Sequence, residues 1–570
     1  MKWISRIFIY SRALLLVLLV ATSPSASAVT GALPWPDFVE RFVAGYFEQH
    51  PEFAADAGRH EYDGRLPDWS AAGLRNTENW LEAQRVQALA YPDQALTPQQ
   101  RFERDYLVAV VGKQLFWRRQ VGTPYKNPLF YSRALDPNLY VNRAYAPLPV
   151  RMQAFLNYAD NVPQAAAHIR ANLALPLPRS FIDIGKTVFG GMAKFYQTDA
   201  KAAFADVADT ALQQRFGQTV PKAVQAMLDL VTWLEQQRAT ATEDFALGAQ
   251  RFAQMLKETE GVDIPLPHLE QMGRADLQRN LTALRQACGL YAPGETTAEC
   301  VAKAEAHKPA DGAVAAANRQ LQQLKAFVAE RHLLSIPGDE DAVVAPSPAY
   351  ARWNLAYIDI PGPFERNLPS IYYVAPPDPA WTVEEQAAYV PGEANLLFVS
   401  AHEVWPGHFL QHLHAHRAGS PLGRLFTSYA FSEGWAHYVE ELIWEAGYSH
   451  GDPETHIGQL LNALLRNVRF LSAIGLHTQG MTVEQAEHMF REHAFRDPGN
   501  ARQQAARGTF DPAYLNYTLG KLLIRQLRDD WTAKRGGKAA WPAFHDAFLS
   551  YGAPPIAMVR KAMMEAGAKR

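Results

Sequence analysis

His402 and His408 lie six residues apart, with Pro406 and Gly407 between them. In a regular helix, at about 100° per residue, these two side chains would point in well separated directions. Proline lacks a backbone N–H and crowds the preceding turn, and glycine relaxes the backbone beside it. We therefore predict a distortion of the helix between Glu403 and His408 that brings both histidines to one side.

The residue types in this stretch are those of a zinc hydrolase. Two histidines and a carboxylate are common zinc ligands, and a glutamate beside the first histidine acts as general base. His402 and His408 are the predicted histidine ligands, and Glu403 is the predicted base. Glu433 is the predicted third ligand, because it lies in an otherwise largely apolar helical run where a buried charge needs a partner.

A second histidine pairing competes with the first. His408 and His412 are four residues apart and could share one face of a plain helix. Phe409 then stands where the base should be, so the pairing of His402 with His408 is favoured. Glu440 follows Glu433 by two helical turns on the same face and is predicted to orient a ligand histidine.

Later helices supply candidates for contact with the substrate. Tyr517 and His477 can each donate a hydrogen bond to a developing oxyanion, although ordinary core packing is the alternative for both. Arg466 and Arg469 lie one turn apart and could hold a substrate carboxylate. Solvated helix charges are the alternative for this pair.

A segment rich in proline and aromatic residues precedes the histidine motif. Within 346–379, the stretches 354–360 and 370–374 are typical of strands, with a turn at Pro361-Gly362 between them. They predict a small antiparallel sheet beside the active-site helix. Its edge could pair with an extended peptide, so Tyr372 and Tyr373 are predicted to bind substrate; structural packing is the alternative.

The rest of the mature chain has helical patterns, so the predicted fold class is mainly α. For example, Thr97 and Gln100 form a capping box with Pro98 at the first helical position. We predict a single catalytic domain over 29–570, with a helical scaffold at 29–340 and the sheet and zinc-site helices at 341–570. A net charge of -3 over 570 residues gives no sign of a nucleic-acid partner.

The first 28 residues predict a signal peptide. Basic residues precede a short apolar run, 13–20, and Ala26-Ser27-Ala28 fits a cleavage site. An uncleaved anchor is the alternative, but the run is short for a membrane span. We expect a periplasmic or secreted protein without stable membrane insertion. No cysteine directly follows the cleavage site, so a lipid anchor is not indicated.

The two cysteines, Cys288 and Cys300, are close in sequence and could form a disulfide in an oxidising compartment. Two free buried thiols are the alternative. These are the chain's only cysteines, so the choice lies between this one pairing and none.

The chain resembles the bacterial domain-of-unknown-function family 885 over nearly its whole mature length. The resemblance rests on 402–408, 433–436, 476–478 and 516–520, with a weaker match at 46–58. This family is similar to the gluzincin metallopeptidases, which implies a large helical zinc fold with a deep cleft. Where gluzincins have an acidic residue four positions after the ligand glutamate, this chain has His437, which we expect beside Glu440 near the ligands.

The resulting hypothesis is an exported zinc-dependent metallopeptidase that hydrolyses small or extended peptides. Glu403 would take a proton from the activated water and pass it to the leaving amine. A zinc amidase or esterase with a non-peptide substrate is one alternative, and a catalytically inactive periplasmic binding or scaffold protein is another. Glu403 beside a full set of ligands argues against the inactive protein, which would need no base.

Overall fold

A computed structural model describes residues 33–347, 355–377 and 382–568. The predicted signal peptide, 1–28, lies outside these residues. The described chain is mainly helical, which confirms the predicted fold class. None of the described helices is both long and apolar enough to cross a membrane.

Among the described residues, fourteen α-helices precede the sheet. They are α1 Trp35–Gln49, α2 Pro51–Asp56, α3 Ala71–Leu89, α4 Pro98–Leu115, α5 Thr123–Lys126, α6 Asn138–Asn142, α7 Leu148–Asn172, α8 Arg179–Gln197, α9 Asp199–Ala203, α10 Thr210–Gln237, α11 Ala249–Glu260, α12 Leu266–Tyr291, α13 Thr297–Ala306 and α14 Ala313–Glu330. The predicted capping box of Thr97 and Gln100 begins α4. A π-helical turn, Phe116–Val121, extends that helix at its end.

Cys288 on α12 and Cys300 on α13 form a disulfide, with their Cα atoms 5.7 Å apart. It ties the end of one helix to the start of the next. Of the two states that the sequence leaves open, the structure therefore has the bonded one.

The sheet has three strands, β1 Ala342–Pro346, β2 Ala356–Asp359 and β3 Ser370–Val374, in the order β1-β3-β2. The prediction of an antiparallel sheet was wrong in one respect. β2 pairs with β3 antiparallel, but β1 pairs with β3 in parallel, so the sheet is mixed. β1 ends where the predicted sheet segment begins, and a parallel neighbour that is distant in sequence leaves no turn signal beside it.

In the part of the chain that the structure describes, eleven α-helices follow the sheet. They are α15 Val383–Tyr389, α16 Glu393–Glu403, α17 His408–His416, α18 Pro421–Leu425, α19 Tyr429–Glu445, α20 Pro453–Thr478, α21 Val483–His493, α22 Pro498–Phe510, α23 Asn516–Thr532, α24 Trp541–Leu549 and α25 Ile556–Ala568. One hydrophobic core joins α11, α12 and α13 to α20 and α23. The two predicted parts of the chain, 29–340 and 341–570, are thus packed against each other through shared apolar side chains.

Helices α19 and α23 cross with their backbones almost in contact. A Cβ atom on Gly434 would lie 2.5 Å from the Cα of Gly520, and one on Gly520 would lie 2.0 Å from the carbonyl oxygen of Ala430. Only glycine at both positions permits this approach. The crossing brings Glu433, next to Gly434, close to the first turn of α23, which carries Tyr517.

Buried charges connect α12, α19 and α23. The ammonium group of Lys521, with no exposed surface, lies 2.6 Å from Asp276 Oδ2 and 3.5 Å from Glu441 Oε2. Arg279 binds both carboxylates as well. These cations hold the pKa of Asp276 and of Glu441 below their ordinary values despite burial, so both carboxylates stay ionised.

We expect Lys521→Met to destabilise the protein by about 3–5 kcal/mol, because it leaves two buried carboxylates short of a cation. Thermal unfolding followed by circular dichroism would measure the loss. Lys257→Met is the control, since Lys257 pairs with Asp263 on the exposed surface and should change the melting temperature little. Equal melting temperatures for Lys521→Met and the wild type would contradict this account.

Candidate metal centre

The predicted distortion takes the form of a complete break between two helices. α16 ends at Glu403, and α17 begins at His408. A Cβ atom on Gly407 would lie 1.8 Å from the carbonyl oxygen of His402, so the chain folds back on itself there in a way that only glycine allows. The indole N–H of Trp435 donates to the carbonyl oxygen of Pro406 at 3.0 Å and fixes the turn against α19.

This turn brings His402, His408 and Glu433 together. The Nε2 atoms of the two histidines lie 3.3 Å and 3.4 Å from the same carboxylate oxygen, Oε2 of Glu433. One potential ligand atom from each residue lies within 4.8 Å of the others. The two imidazole rings are nearly perpendicular, with centroids 4.8 Å apart. Within the described chain, these are the only three residues of the metal-binding types that meet in this way.

The competing pairing does not form a site. His412 takes no part in the cluster, and its ring contacts His416 at a centroid distance of 5.9 Å. Burial, with the positive charges of nearby histidines, lowers the pKa of His412 to about 3. Its imidazole is therefore neutral and packed beside the site.

Glu433 and the histidines fit a metal ion. Oε2 of Glu433 is buried, yet it accepts no hydrogen bond from the described residues. A buried acceptor of this kind is costly unless something positive reaches it. Two imidazole nitrogens and one carboxylate oxygen are a ligand set that zinc prefers, with one position left open.

Behind His402 lies a buried carboxylate that fixes its orientation. Nδ1 of His402 lies 2.7 Å from Oε1 of Glu440. An ionised carboxylate only accepts, so Nδ1 carries the proton and Nε2 presents its lone pair toward Glu433. Arg466 donates to the same oxygen of Glu440 at 2.9 Å, and His437 lies 3.4 Å from the other oxygen.

The protonation of these groups follows from their surroundings. Against burial, Arg466 and the histidines lower the pKa of Glu440, which keeps it anionic. Against burial and the charge of Arg466, the two glutamates raise the pKa of His402 to about 9. Both carboxylates therefore favour positive charge at His402, and a bound metal ion would supply that charge instead.

Glu403, the predicted base, is the last residue of α16 and lies beside this cluster. Burial raises the pKa of its carboxyl above the ordinary value, while the charges of His408 and His402 partly oppose that rise. The backbone amide of Ile358, on β2, also interacts with this carboxylate. A carboxylate with a raised pKa is suited to accept and return a proton near neutral pH.

Tyr517 and Arg469 also lie near the cluster. The Tyr517 ring stacks on His402 with centroids 6.2 Å apart, and the Arg469 guanidinium lies 4.9 Å from the centre of the same Tyr517 ring. Arg469 is mostly buried; its Nε donates to Gln504 at 2.8 Å, and it has no carboxylate partner among the described residues. It therefore carries a positive charge that the rest of the described chain leaves unneutralised.

Three other predicted residues make no contact with the three ligands, although Tyr372 lies near Glu403: burial and, to a lesser degree, the charge of Glu403 raise the pKa of Tyr372. Both ring nitrogens of His477 contact backbone atoms, of Gly508 at 2.7 Å and of Leu247 at 3.3 Å, and burial lowers its pKa to about 4. Tyr372 is fully buried, with its hydroxyl 3.3 Å from Ser400. Tyr373 packs on Tyr357, with ring centroids 5.1 Å apart. Since β3 is the central strand, neither tyrosine lies on a free sheet edge.

Two residues next to the ligands have positions that the sequence does not predict. Arg466, a candidate for binding a substrate carboxylate, instead binds Glu440 behind His402. Ser432 places its hydroxyl 3.3 Å from Nδ1 of His408 and so helps to orient the second histidine. The only signal for Ser432 was its place next to Glu433, and serine is too common for that place alone to indicate a role.

We expect Gly407→Ala to abolish tight metal binding, because the added Cβ would overlap the carbonyl oxygen of His402 and push the two histidines apart. Gly419→Ala is a matched control, since a Cβ there would meet no atom within 4 Å. Zinc content after dialysis, measured by mass spectrometry, is the readout. Equal zinc content in the two variants would show that the tight turn does not set the ligand geometry.

Comparison with known proteins agrees with the whole-chain resemblance. A protein from Shewanella oneidensis, described as a "putative lipoprotein of unknown function", has the same fold, with a TM-score of 0.78 at 22% identity over 94% of this chain and 100% of that one. A "putative lipoprotein" from Colwellia psychrerythraea gives a TM-score of 0.80 at 17% identity over 94% and 99%. No curated protein matches the sequence. The family model described as "Bacterial protein of unknown function (DUF885)" matches residues 51–563, and the chain therefore belongs to the DUF885 family.

Proposed function

We propose that this protein is a zinc-dependent metallopeptidase. The observation that carries the proposal is the buried Oε2 of Glu433, which lies between the Nε2 atoms of His402 and His408 and accepts no hydrogen bond from the described residues. Glu403, with its raised pKa, lies beside these ligands. A zinc hydrolase needs this combination of three protein ligands and an adjacent base.

Zinc, when bound, would activate a water molecule and polarise the scissile carbonyl group. Glu403 accepts the proton of the attacking water and later returns it to the nitrogen of the leaving amine. Glu440 holds the proton on Nδ1 of His402, so that Nε2 stays free as a ligand. Tyr517, whose ring stacks on His402, is the candidate donor to the oxyanion.

An extended peptide fits the surroundings of Glu403. β2 is an edge strand, and the amide of Ile358 on this strand interacts with Glu403. A substrate paired with the outer edge of β2 would therefore pass the base. We therefore propose the backbone of the edge strand β2 as the substrate contact, in place of Tyr372 and Tyr373 on the central strand β3.

The position of Arg469 indicates which end of a peptide substrate would lie beside the cluster. Its guanidinium contacts the ring of Tyr517 and has no anionic partner among the described residues. A buried cation of this kind is stabilised by a carboxylate that arrives with the ligand. We therefore propose that Arg469 binds the C-terminal carboxylate of the peptide, which favours removal of residues from the C-terminus.

Export is part of the same proposal. The pattern of residues 1–28 is that of a signal peptide. The two structural neighbours are each described as a putative lipoprotein, a class of exported protein. The disulfide between Cys288 and Cys300 is also typical of an oxidising compartment.

Glu403→Gln should retain about one zinc ion per chain and lose peptide hydrolysis by about a thousandfold or more, because the ligands remain and the base is removed. A peptide library digested with the wild type and read by mass spectrometry would identify the substrate, and the variant would then be assayed on it. Glu384→Gln is the control, because Glu384 is an exposed residue in the first turn of α15. A Glu403→Gln variant that cleaves peptides normally would refute the mechanism.

Arg469→Met should raise KM about tenfold or more for peptides with a free C-terminus. Cleavage of peptides with an amidated C-terminus should change little, since those substrates lack the carboxylate. Steady-state kinetics on each peptide and its amide would separate the two effects. An equal loss on both forms would mean that Arg469 has a structural role and does not recognise the carboxylate.

A further inference from the structure

A polar cavity lies among the N-terminal helices, apart from the cluster of His402, His408 and Glu433. It has a volume of about 190 Å³. Its walls come from α1, α2, the segment before α3, α3 itself, the end of α4 and the segments between α4 and α6. Several of its residues belong to the stretch 46–58, which carries part of the family resemblance but has no place in the proposed mechanism. They are Tyr46, Gln49, His50, Glu52 and Phe53.

Arg118 is the most unusual residue in this cavity. It is only 7% exposed, and it makes neither a hydrogen bond nor an ion pair with any residue that the structure describes. Its guanidinium lies 5.1 Å from the centre of the Phe130 ring, another lining residue. A buried guanidinium without an anion is costly. It also lies in the π-helical turn after α4, a local geometry that is frequent at functional sites.

The cavity also contains an acidic group without a cation. Oε2 of Glu52 is buried and accepts no hydrogen bond from the described chain, and its other oxygen lies 3.8 Å from Nδ1 of His50. Nε2 of His50 is likewise buried and unpartnered within the described chain. Glu52 and Arg118 do not form an ion pair with each other. One cavity thus presents a positive and a negative group that each lack a partner.

Other polar groups of the cavity wall are already satisfied. The Thr77 hydroxyl donates to Gln49 at 2.8 Å, and the Gln114 amide donates to the Tyr46 hydroxyl at 2.9 Å. The remaining wall combines the apolar side chains of Phe53, Trp69, Leu74 and Phe130 with two charged residues that have partners: Asp68 accepts from the Ser70 amide, and Arg133 pairs with Asp56. The unmet requirements are therefore one anionic group for Arg118, one cationic group for Glu52 and an apolar body between them.

We propose that this cavity binds a free α-amino acid with a small or medium aliphatic side chain. The carboxylate of the amino acid would pair with Arg118 and its ammonium group with Glu52, while the side chain packs on the apolar wall. The volume supports a ligand of this size, because an apolar cavity of about 150 Å³ in another protein admits benzene. The cavity shares no residue with the candidate metal centre, so amino-acid binding there does not depend on the proposed peptidase activity.

Isothermal titration calorimetry of the full-length protein with L-valine and L-leucine tests the proposal. We expect binding with a Kd of about 1 mM or lower. L-leucinamide lacks the carboxylate and N-acetyl-L-leucine lacks the ammonium group, so each should bind about tenfold more weakly or worse. Binding should persist after the protein is stripped of metal with a chelator.

Two variants and one control test whether the amino acid binds in this cavity. Arg118→Met and Glu52→Gln should each weaken leucine binding at least tenfold, with circular dichroism used to check that they fold. Arg119→Met is the matched control, because the adjacent Arg119 pairs with Glu78 and Glu82 outside the cavity. The proposal is overturned if no amino acid binds at 10 mM, a concentration at which about nine-tenths of the sites would be filled for a Kd of about 1 mM. It is also overturned if N-acetyl-L-leucine binds as well as leucine, or if chelation abolishes binding and Arg118→Met leaves it unchanged.

Discussion

The close approach of Gly407 to the carbonyl oxygen of His402 is the constraint on which the cluster of His402, His408 and Glu433 depends. It reverses the chain between α16 and α17, so two histidines six residues apart reach one carboxylate oxygen. A second glycine contact, between Gly434 and Gly520, brings α19 close enough to α23 for Glu433 and Tyr517 to lie near the same histidine. The geometry of the cluster thus depends on two close backbone approaches. One places the two histidines, and the other places Glu433 and Tyr517.

Helix α19 carries four acidic residues, and the last of them, Glu445, pairs with Arg525 and Arg528. Glu440 is paired with Arg466 and His402, and Glu441 with Arg279, Lys521 and Arg525. Both are therefore supplied with cations from neighbouring helices. Glu433 has only the two imidazoles, and its buried oxygen accepts no hydrogen bond from the described residues. Along this helix, Glu433 is thus the acidic residue that the described chain leaves with an unpartnered buried oxygen, which is the basis for proposing it as a metal ligand.

Much of this arrangement could be predicted from the sequence, because it is encoded by local patterns. Proline and glycine between two histidines predicted the break in the helix, and an acidic residue in an apolar run predicted Glu433. Helical periodicity predicted that Glu440 would face the ligands. The mixed sheet could not be predicted in this way, since the parallel pairing of β1 with β3 depends on contacts between segments distant in sequence. The same limit applies to Tyr372 and Tyr373, because the sequence of a strand does not reveal whether the strand is central or at an edge.

The helices before the sheet also support the cluster, because α12 forms ion pairs with α19 and α23. Arg279 on α12 neutralises Glu441, and Asp276 on the same helix holds Lys521. Since Lys521 is the residue next to Gly520, this ion pair secures α23 at the point where it crosses α19. The charge network therefore supports the glycine crossing, and the crossing supports the ligand geometry. Long-range ion pairs of this kind leave no periodic signal in the sequence, which is why the same helices could be predicted as elements but not as supports of the site.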